Sequence, residues 1–337
     1  MEIQKLRYLF GDVFKICLIT TLVGVVIFGV YAFVTRDNDI YGKLPKPYFQ
    51  NSLTREVVWD ASAVSLDTPA QEVVFKVKNR KISREQSWGL AGKLGLPRGG
   101  TIELDKNKDE HYYTKNATSE LSINLTDGSV HYKNSGVTAS TLATSTINKT
   151  QAAAEAKKFV AGLGINTKTY DLKQPKYEFL QRTPGSNHLS EVKENKANIV
   201  YVSFNRKIDG VDVVTVGGFD SLSIGLNNQN QVISLNYSVL EVIADTNASY
   251  KLISEGSAQS KIKKGQGNLN RYLIDAEEAV ANPSLISVGK GKTYFYNDQK
   301  TEFLQPIYVF EADAVTGNQA EKAEIYLPAL KDTYFSK

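Results

Sequence analysis

The 337-residue sequence has a single cysteine, Cys17, and three histidines, His111, His131 and His188. Cys17 falls in an apolar N-terminal run, so the rest of the chain has no disulfide, no thiolate nucleophile and no cysteine metal site. About 300 residues can bury an adequate core without disulfides, so this scarcity selects no redox compartment. The histidines lie in separate segments, and no HExxH sets two imidazoles on one helical turn for zinc. Charge of one sign is scarce as well. Forty Lys and Arg face 36 Asp and Glu, a formal +4, which does not suggest a nucleic-acid partner. The densest basic stretch, "FKVKNRKISR" at 75–84, alternates with apolar residues and assigns Lys76, Lys78 and Arg80 to the solvated face of a half-buried strand.

Catalytic motifs are missing too. There is no GxSxG elbow, and "VGKGKT" at 288–293 is too short for a phosphate loop. Asp105, Asn107 and Asp109 begin like a calcium loop, but Glu110 stands where glycine is needed and Asn116 where a bidentate carboxylate is needed. Ser260 and Lys263 have Ser-x-x-Lys spacing without its companion elements. The expectation is a protein that is not an enzyme and uses no cofactor or metal.

What is present begins with "ICLITTLVGVVIFGVYAFVT", residues 16–35, uncharged and flanked by Lys15 and Arg36. At 1.5 Å per residue it spans about 30 Å, the thickness of a hydrocarbon core. It is read as an uncleaved anchor in the lipid bilayer, with Ile16, Leu22, Val26, Phe28 and Val34 among its apolar residues. Residues 1–15 form a cytoplasmic head and the body is extracytoplasmic, giving a single-pass cell-membrane protein. Residues 36–70, with Pro45 and Pro47 and no helical period, read as a tether.

Two hairpins then echo each other, "SELSINLTDGSVHY" at 119–132 and "DSLSIGLNNQNQVISLNY" at 220–237. Leu121, Ile123 and Leu125 point one way, as do Leu222, Ile224 and Leu226, the period of a strand with one buried face. Each copy follows a helix. Ser83 and Gln86 have capping-box spacing, with Trp88, Ala91 and Leu94 as the expected apolar stripe. Ala152, Ala156, Phe159 and Leu163 form the second stripe, and both helices end at a glycine, Gly95 and Gly164. A third helix starts at Ser254 and stops near Gly265, and strands follow it. The predicted fold is α+β: tandem units of one helix on an antiparallel sheet, at 71–140, 141–245 and 246–337.

Five Asn-x-Ser/Thr sequons, at Asn116, Asn124, Asn148, Asn236 and Asn247, are ascribed to an Asn-, Ser- and Thr-rich composition. The polar insert "QRTPGSNHLSEVKENK", 181–196, is a hairpin loop suited to recognition, and offers Arg182, Asn187, His188 and Glu191 as partner contacts.

The segment "FNRKIDGVDVVTVGGFDSLSIGLNNQNQVISLNYS" resembles the PepSY and propeptide pattern at Phe204, Ile208, Gly210, Val211, Val213, Ile224, Leu226 and Leu235. "YKLISEGSAQSKI", "ISVGKGKTYFY" and "LQPIYVFEA" are similar to the C-terminal repeat of YycI- and YycH-like regulatory proteins. The resemblance, over about residues 145–330, implies an extracytoplasmic regulatory module that binds a membrane or envelope protein such as a sensor kinase or peptidase. The competing expectation is a structural component that self-associates through exposed sheet edges.

Overall fold

The computed structural model describes residues 41–49, 57–136, 147–182, 189–243, 249–271, 283–317 and 319–336. All of them belong to one compact unit that begins at Tyr41. Strand dominates: two large sheets and a two-stranded ribbon, with three α-helices among the described residues.

Every strand pair of the first sheet is antiparallel. From one edge to the other its nine strands are Leu189–Glu191, Lys176–Arg182, Ile199–Asn205, Ser221–Asn227, Val232–Ser238, Ser129–Asn134, Ser119–Asn124, Glu110–Lys115 and Thr101–Leu104. The echoing hairpins are therefore neighbours. Their return strands pair directly, with Leu235 opposite Tyr132 and Asn236 opposite His131. Leu121, Ile123, Leu222, Ile224, Leu226 and Leu235 bury one face against the helices Arg84–Lys93 and Lys149–Leu163.

Local chemistry sets those helices. Ser83 Oγ accepts from the Gln86 N–H, and the Gln86 side chain accepts from the Ser83 N–H. Asn148 caps the second helix, and Gly164, at φ 69°, closes it in the left-handed region. The first helix is rotated from its expected stripe. Ser87, Leu90 and Ala91 are buried, whereas Trp88 is 40% exposed.

The second sheet draws strands from the whole chain. Its centre is the meander Leu285–Tyr296, Phe303–Thr316 and Gln319–Pro328. Val58–Asp60 and Ser65–Leu66 add in parallel to the first of these, as does Val211–Thr215. Phe75–Asn79 pairs with both Phe303–Leu304 and Glu241–Ile243. The third helix, Glu255–Lys263, places Ala258 and Ile262 in this sheet's own core.

Three sequence expectations are corrected here. The α+β arrangement of separate helix-on-sheet units gives way to a mostly β body, because an isolated hairpin leaves two unpaired edges and each hairpin here covers an edge of the other. The tether is, at residues 41–49 and 57–70, part of the packed body. Leu44 is fully buried and exchanges main-chain hydrogen bonds with Tyr334 and Ser336, and Trp59 pairs in register with Ile286. Finally, no helix among the described residues is long and apolar enough to cross a membrane. The expected anchor, 16–35 with Ile16, Leu22, Val26, Phe28 and Val34, and the head 1–15 lie outside the described residues, so the single-pass membrane assignment has no support and is withdrawn.

Candidate functional site

Three of the chain's passages between the two sheets meet at one place. Arg206 follows the first-sheet strand Ile199–Asn205 and precedes Lys207–Ile208 of the second. Asp220 lies between Gly218–Phe219 of the second sheet and Ser221–Asn227 of the first. Ser238 ends a first-sheet strand just before Glu241–Ile243 returns to the second. The three residues meet. Arg206 Nε lies 3.1 Å from Asp220 Oδ2, an ion pair whose N–H is not aligned well enough for a hydrogen bond. Arg206 Nη1 donates to Thr169 Oγ1 at 2.9 Å, and Nη2 donates to the Tyr170 hydroxyl and the Ser238 carbonyl. Asp220 accepts from Ser238 Oγ at 3.2 Å and from Asn297 Nδ2 at 3.1 Å.

Arg206 and Asp220 are only 2% and 4% exposed. Charges buried this deeply are tolerated when their remaining donors and acceptors are occupied, as they are here. The Arg206 guanidinium also lies 4.4 Å from the centre of the Tyr170 ring. Burial pushes the Tyr170 hydroxyl well above the usual tyrosine range, so it stays protonated and donates to the Ser238 carbonyl at 3.0 Å. The cluster clasps the two sheets together through a buried ion pair and its hydrogen bonds.

Arg80 departs from its expected place on a solvated face. Lys78 is exposed and Lys76 pairs loosely with Glu302 at 3.7 Å, but Arg80 Nε and Nη2 are buried without hydrogen-bond partners among the described residues. Burial pulls its pKa down, and the charges of Asp298, Asp220 and Asp127 oppose that shift.

The face of the nine-stranded sheet away from the helices holds a groove of about 600 Å³. Tyr113, His131 and Asn236 line one part of it, and Tyr201, Leu189 and Arg182 another. His131 Nδ1 is 2.9 Å from Asn236 Oδ1, which requires the proton on Nδ1. Gly225 is needed here because a Cβ would sit 2.3 Å from Ser234 Oγ and 3.1 Å from the Tyr201 ring. Gly225 faces Ser234 while Leu226 faces Val232, so Ile233 is the extra residue of a bulge. It turns onto the groove face and packs with Leu180 and Ile199.

Of the expected partner contacts, Arg182 is in the groove wall and Glu191 is exposed on the edge strand, while Asn187 and His188 lie outside the described residues. Glu178, on the strand beside that edge, has its carboxyl raised by partial burial and by the charge of Glu191. Asp105 Oδ1 accepts from the N–H groups of Asn107 and Asp109, so this carboxylate organises its own turn. Among the described residues no three His, Cys, Asp or Glu side chains gather to hold a metal ion. Ser260 and Lys263 are both exposed on the third helix. The sequon residues Asn116, Asn124 and Asn148 bond neighbouring main-chain N–H groups through Oδ1, and Asn124 is 8% exposed. Asn247 lies outside the described residues.

A second cavity, of about 410 Å³, opens between the first helix, the end of the second helix and the strand end near Tyr237. Sequence reasoning missed this cleft, Arg206 and Asp220. The one available signal was Arg206-Lys207, a charged pair in a strand pattern that has no glycine or proline from Ile199 to Ile208.

No family model and no curated protein matches this chain.

Proposed function

We propose that the protein is a non-enzymatic protein-binding module, which docks a partner protein in the sheet groove and along the adjoining edge strand. The observation that carries this reading is a pair of unsatisfied polar atoms. Arg182 Nε and Ser234 Oγ, both in groove-lining residues, are buried without a hydrogen-bond partner among the described residues. Such atoms are costly while unsatisfied, and a rotation of either side chain toward the groove would let a partner main chain satisfy it. Tyr113 and Tyr201 add flat rings with polar tips, a side-chain type favoured at protein interfaces.

The edge supports the same reading. Leu189–Glu191 ends the sheet, bonded on one side to Lys176–Arg182. The Val192 N–H donates to the Phe179 carbonyl, so antiparallel alternation turns the Glu191 N–H away from the sheet, as strand addition requires. The PepSY-like pattern favours a regulatory role, with a sensor kinase or peptidase as the partner class.

A photo-reactive residue at position 191, compared with one at the exposed helix position Lys157, tests this reading. A discrete adduct from position 191 alone, lost when Arg182→Ala is added, is expected. Identical adducts from both positions, or none, would remove the proposal.

A second reading, self-assembly, has one observation in its favour. Thr101–Leu104 forms the other end of the same sheet and leaves Leu104 67% exposed. Sedimentation of the protein across a wide concentration range decides it, since a concentration-independent monomer excludes that assembly.

A further inference from the structure

The 410 Å³ cleft falls within the size range of small-molecule sites, and its walls are unevenly built. Its lining includes the buried apolar side chains of Ile82, Leu90, Leu163 and Leu240, together with the ring of Tyr237. Two flexible cations, Lys81 and Lys93, stand among its lining residues against one carboxylate, Glu241. Arg206 also lines it, but its charge is already balanced by Asp220. One positive charge is therefore left over. Lys93 Nζ donates to the Leu163 carbonyl at 2.6 Å, which holds the ammonium at the end of the second helix with two donors to spare. Gly89 lines the cleft, and a Cβ built there meets nothing within 4 Å, so a larger side chain at this position has room to extend into it. Any other helix former at this position would be more stable by roughly 0.5–1 kcal/mol, so local helix energetics does not explain the glycine.

We propose that this cleft binds a small amphipathic carboxylate, with its aliphatic or aromatic body against Leu90, Leu163 and Tyr237 and its carboxylate between Lys81 and Lys93. Tyr237 contributes a third polar contact. Burial pushes its hydroxyl up to about 12, so at neutral pH it is a donor, and it has no acceptor among the described residues. The site lies on the helix side of the first sheet, and its occupation does not depend on the partner groove on the other face.

Calorimetric titration of the full chain with decanoate, decanol and decyltrimethylammonium tests the assignment. Decanoate is expected to bind more tightly than either of the other two, by roughly tenfold or more. Gly89→Leu extends into the cleft and is expected to weaken decanoate by about tenfold or more while leaving the thermal midpoint unchanged or higher. Lys81→Gln combined with Lys93→Gln is expected to weaken decanoate by a similar factor and leave decanol unaffected. It carries the test if Gly89→Leu does not fold. Ser122→Leu, in the groove on the opposite face, should leave decanoate binding intact. Absence of decanoate binding, equal binding of the cationic amphiphile, or indifference to both cleft variants would overturn the assignment. None of these results bears on the edge-strand adducts.

Discussion

Arg206 and Asp220 form an ion pair, 3.1 Å apart, at the point where the chain leaves one sheet for the other, and the Arg206 N–H donates to the Asp220 carbonyl at 2.7 Å. Side chain and main chain together tie these two crossings to each other. Removing one member leaves a buried charge without its partner, which costs about 3–5 kcal/mol. Arg206→Met is expected to lower stability by that amount in denaturant titration. Arg206→Met with Asp220→Leu should recover part of the loss, since no orphan charge then remains. A single variant as stable as the parent would mean that the clasp contributes nothing.

Gly128 turns the first hairpin at φ 77°, and a Cβ there would sit 2.1 Å from the Arg80 carbonyl oxygen. Main chain cannot yield as a flexible side chain does. Gly128→Ala is expected to destabilise by more than about 1 kcal/mol, through strain at positive φ and displacement of residue 80. Gly162→Ala, with open space at its Cβ, serves as the control and should be neutral or stabilising. A Gly128→Ala midpoint equal to that of the control would contradict the close approach.

Leu44 tests the correction made to the tether. It is fully buried, and its main chain is bonded to the C-terminal residues Tyr334 and Ser336. Leu44→Ala is expected to cost about 2–5 kcal/mol and to speed proteolysis near residues 41–49. Were the segment a free tether, the substitution would change neither measurement.

Alkaline pH should weaken the protein in a defined window. The Tyr237 hydroxyl is held up to about 12 by burial, and burial raises Tyr170 as well. Above about pH 10 the unfolded chain releases these protons while the folded protein keeps them. Stability is therefore full below pH 10 and is lost as pH rises toward 12. Tyr237→Phe should flatten that decline in denaturant midpoints measured across the window, and an unchanged slope would rule out Tyr237 as a cause.

Much of the local structure was legible in the sequence. Leu121 and Ile123, like Leu222 and Ile224, announce their buried face by alternation, and Ser83 with Gln86 and Gly164 mark helix ends where helix ends occur. Alternation states which face is buried, not which strand lies alongside. The pairing of Leu235 with Tyr132 was hidden for that reason, and with it the merger of two hairpins into one sheet. Trp88 misled because a large ring suggests burial, while the helix turns Ser87 and Leu90 inward instead. Arg206, Asp220 and Arg80 were read past because charged residues are usually solvated. The burial of Arg206 and Asp220 depends on partners distant in sequence, Tyr170 and Asn297 among them. Of the candidate site, Arg182 and Glu191 were reached from loop composition, whereas the groove around Tyr201 and Gly225 depends on a bulge that no turn residue signals.

Buried polar residues join the two sheets into one cooperative body, and the chain's two tryptophans allow a direct test. Trp88 is on the helix packed against the first sheet, and Trp59 is in a strand of the second. Trp59→Phe and Trp88→Phe each leave one reporter, and equilibrium unfolding is followed by its fluorescence. Coincident transitions are expected in the two variants, with Arg206→Met separating them or lowering both. Separate transitions with the clasp intact, or midpoints indifferent to Arg206→Met, would contradict it.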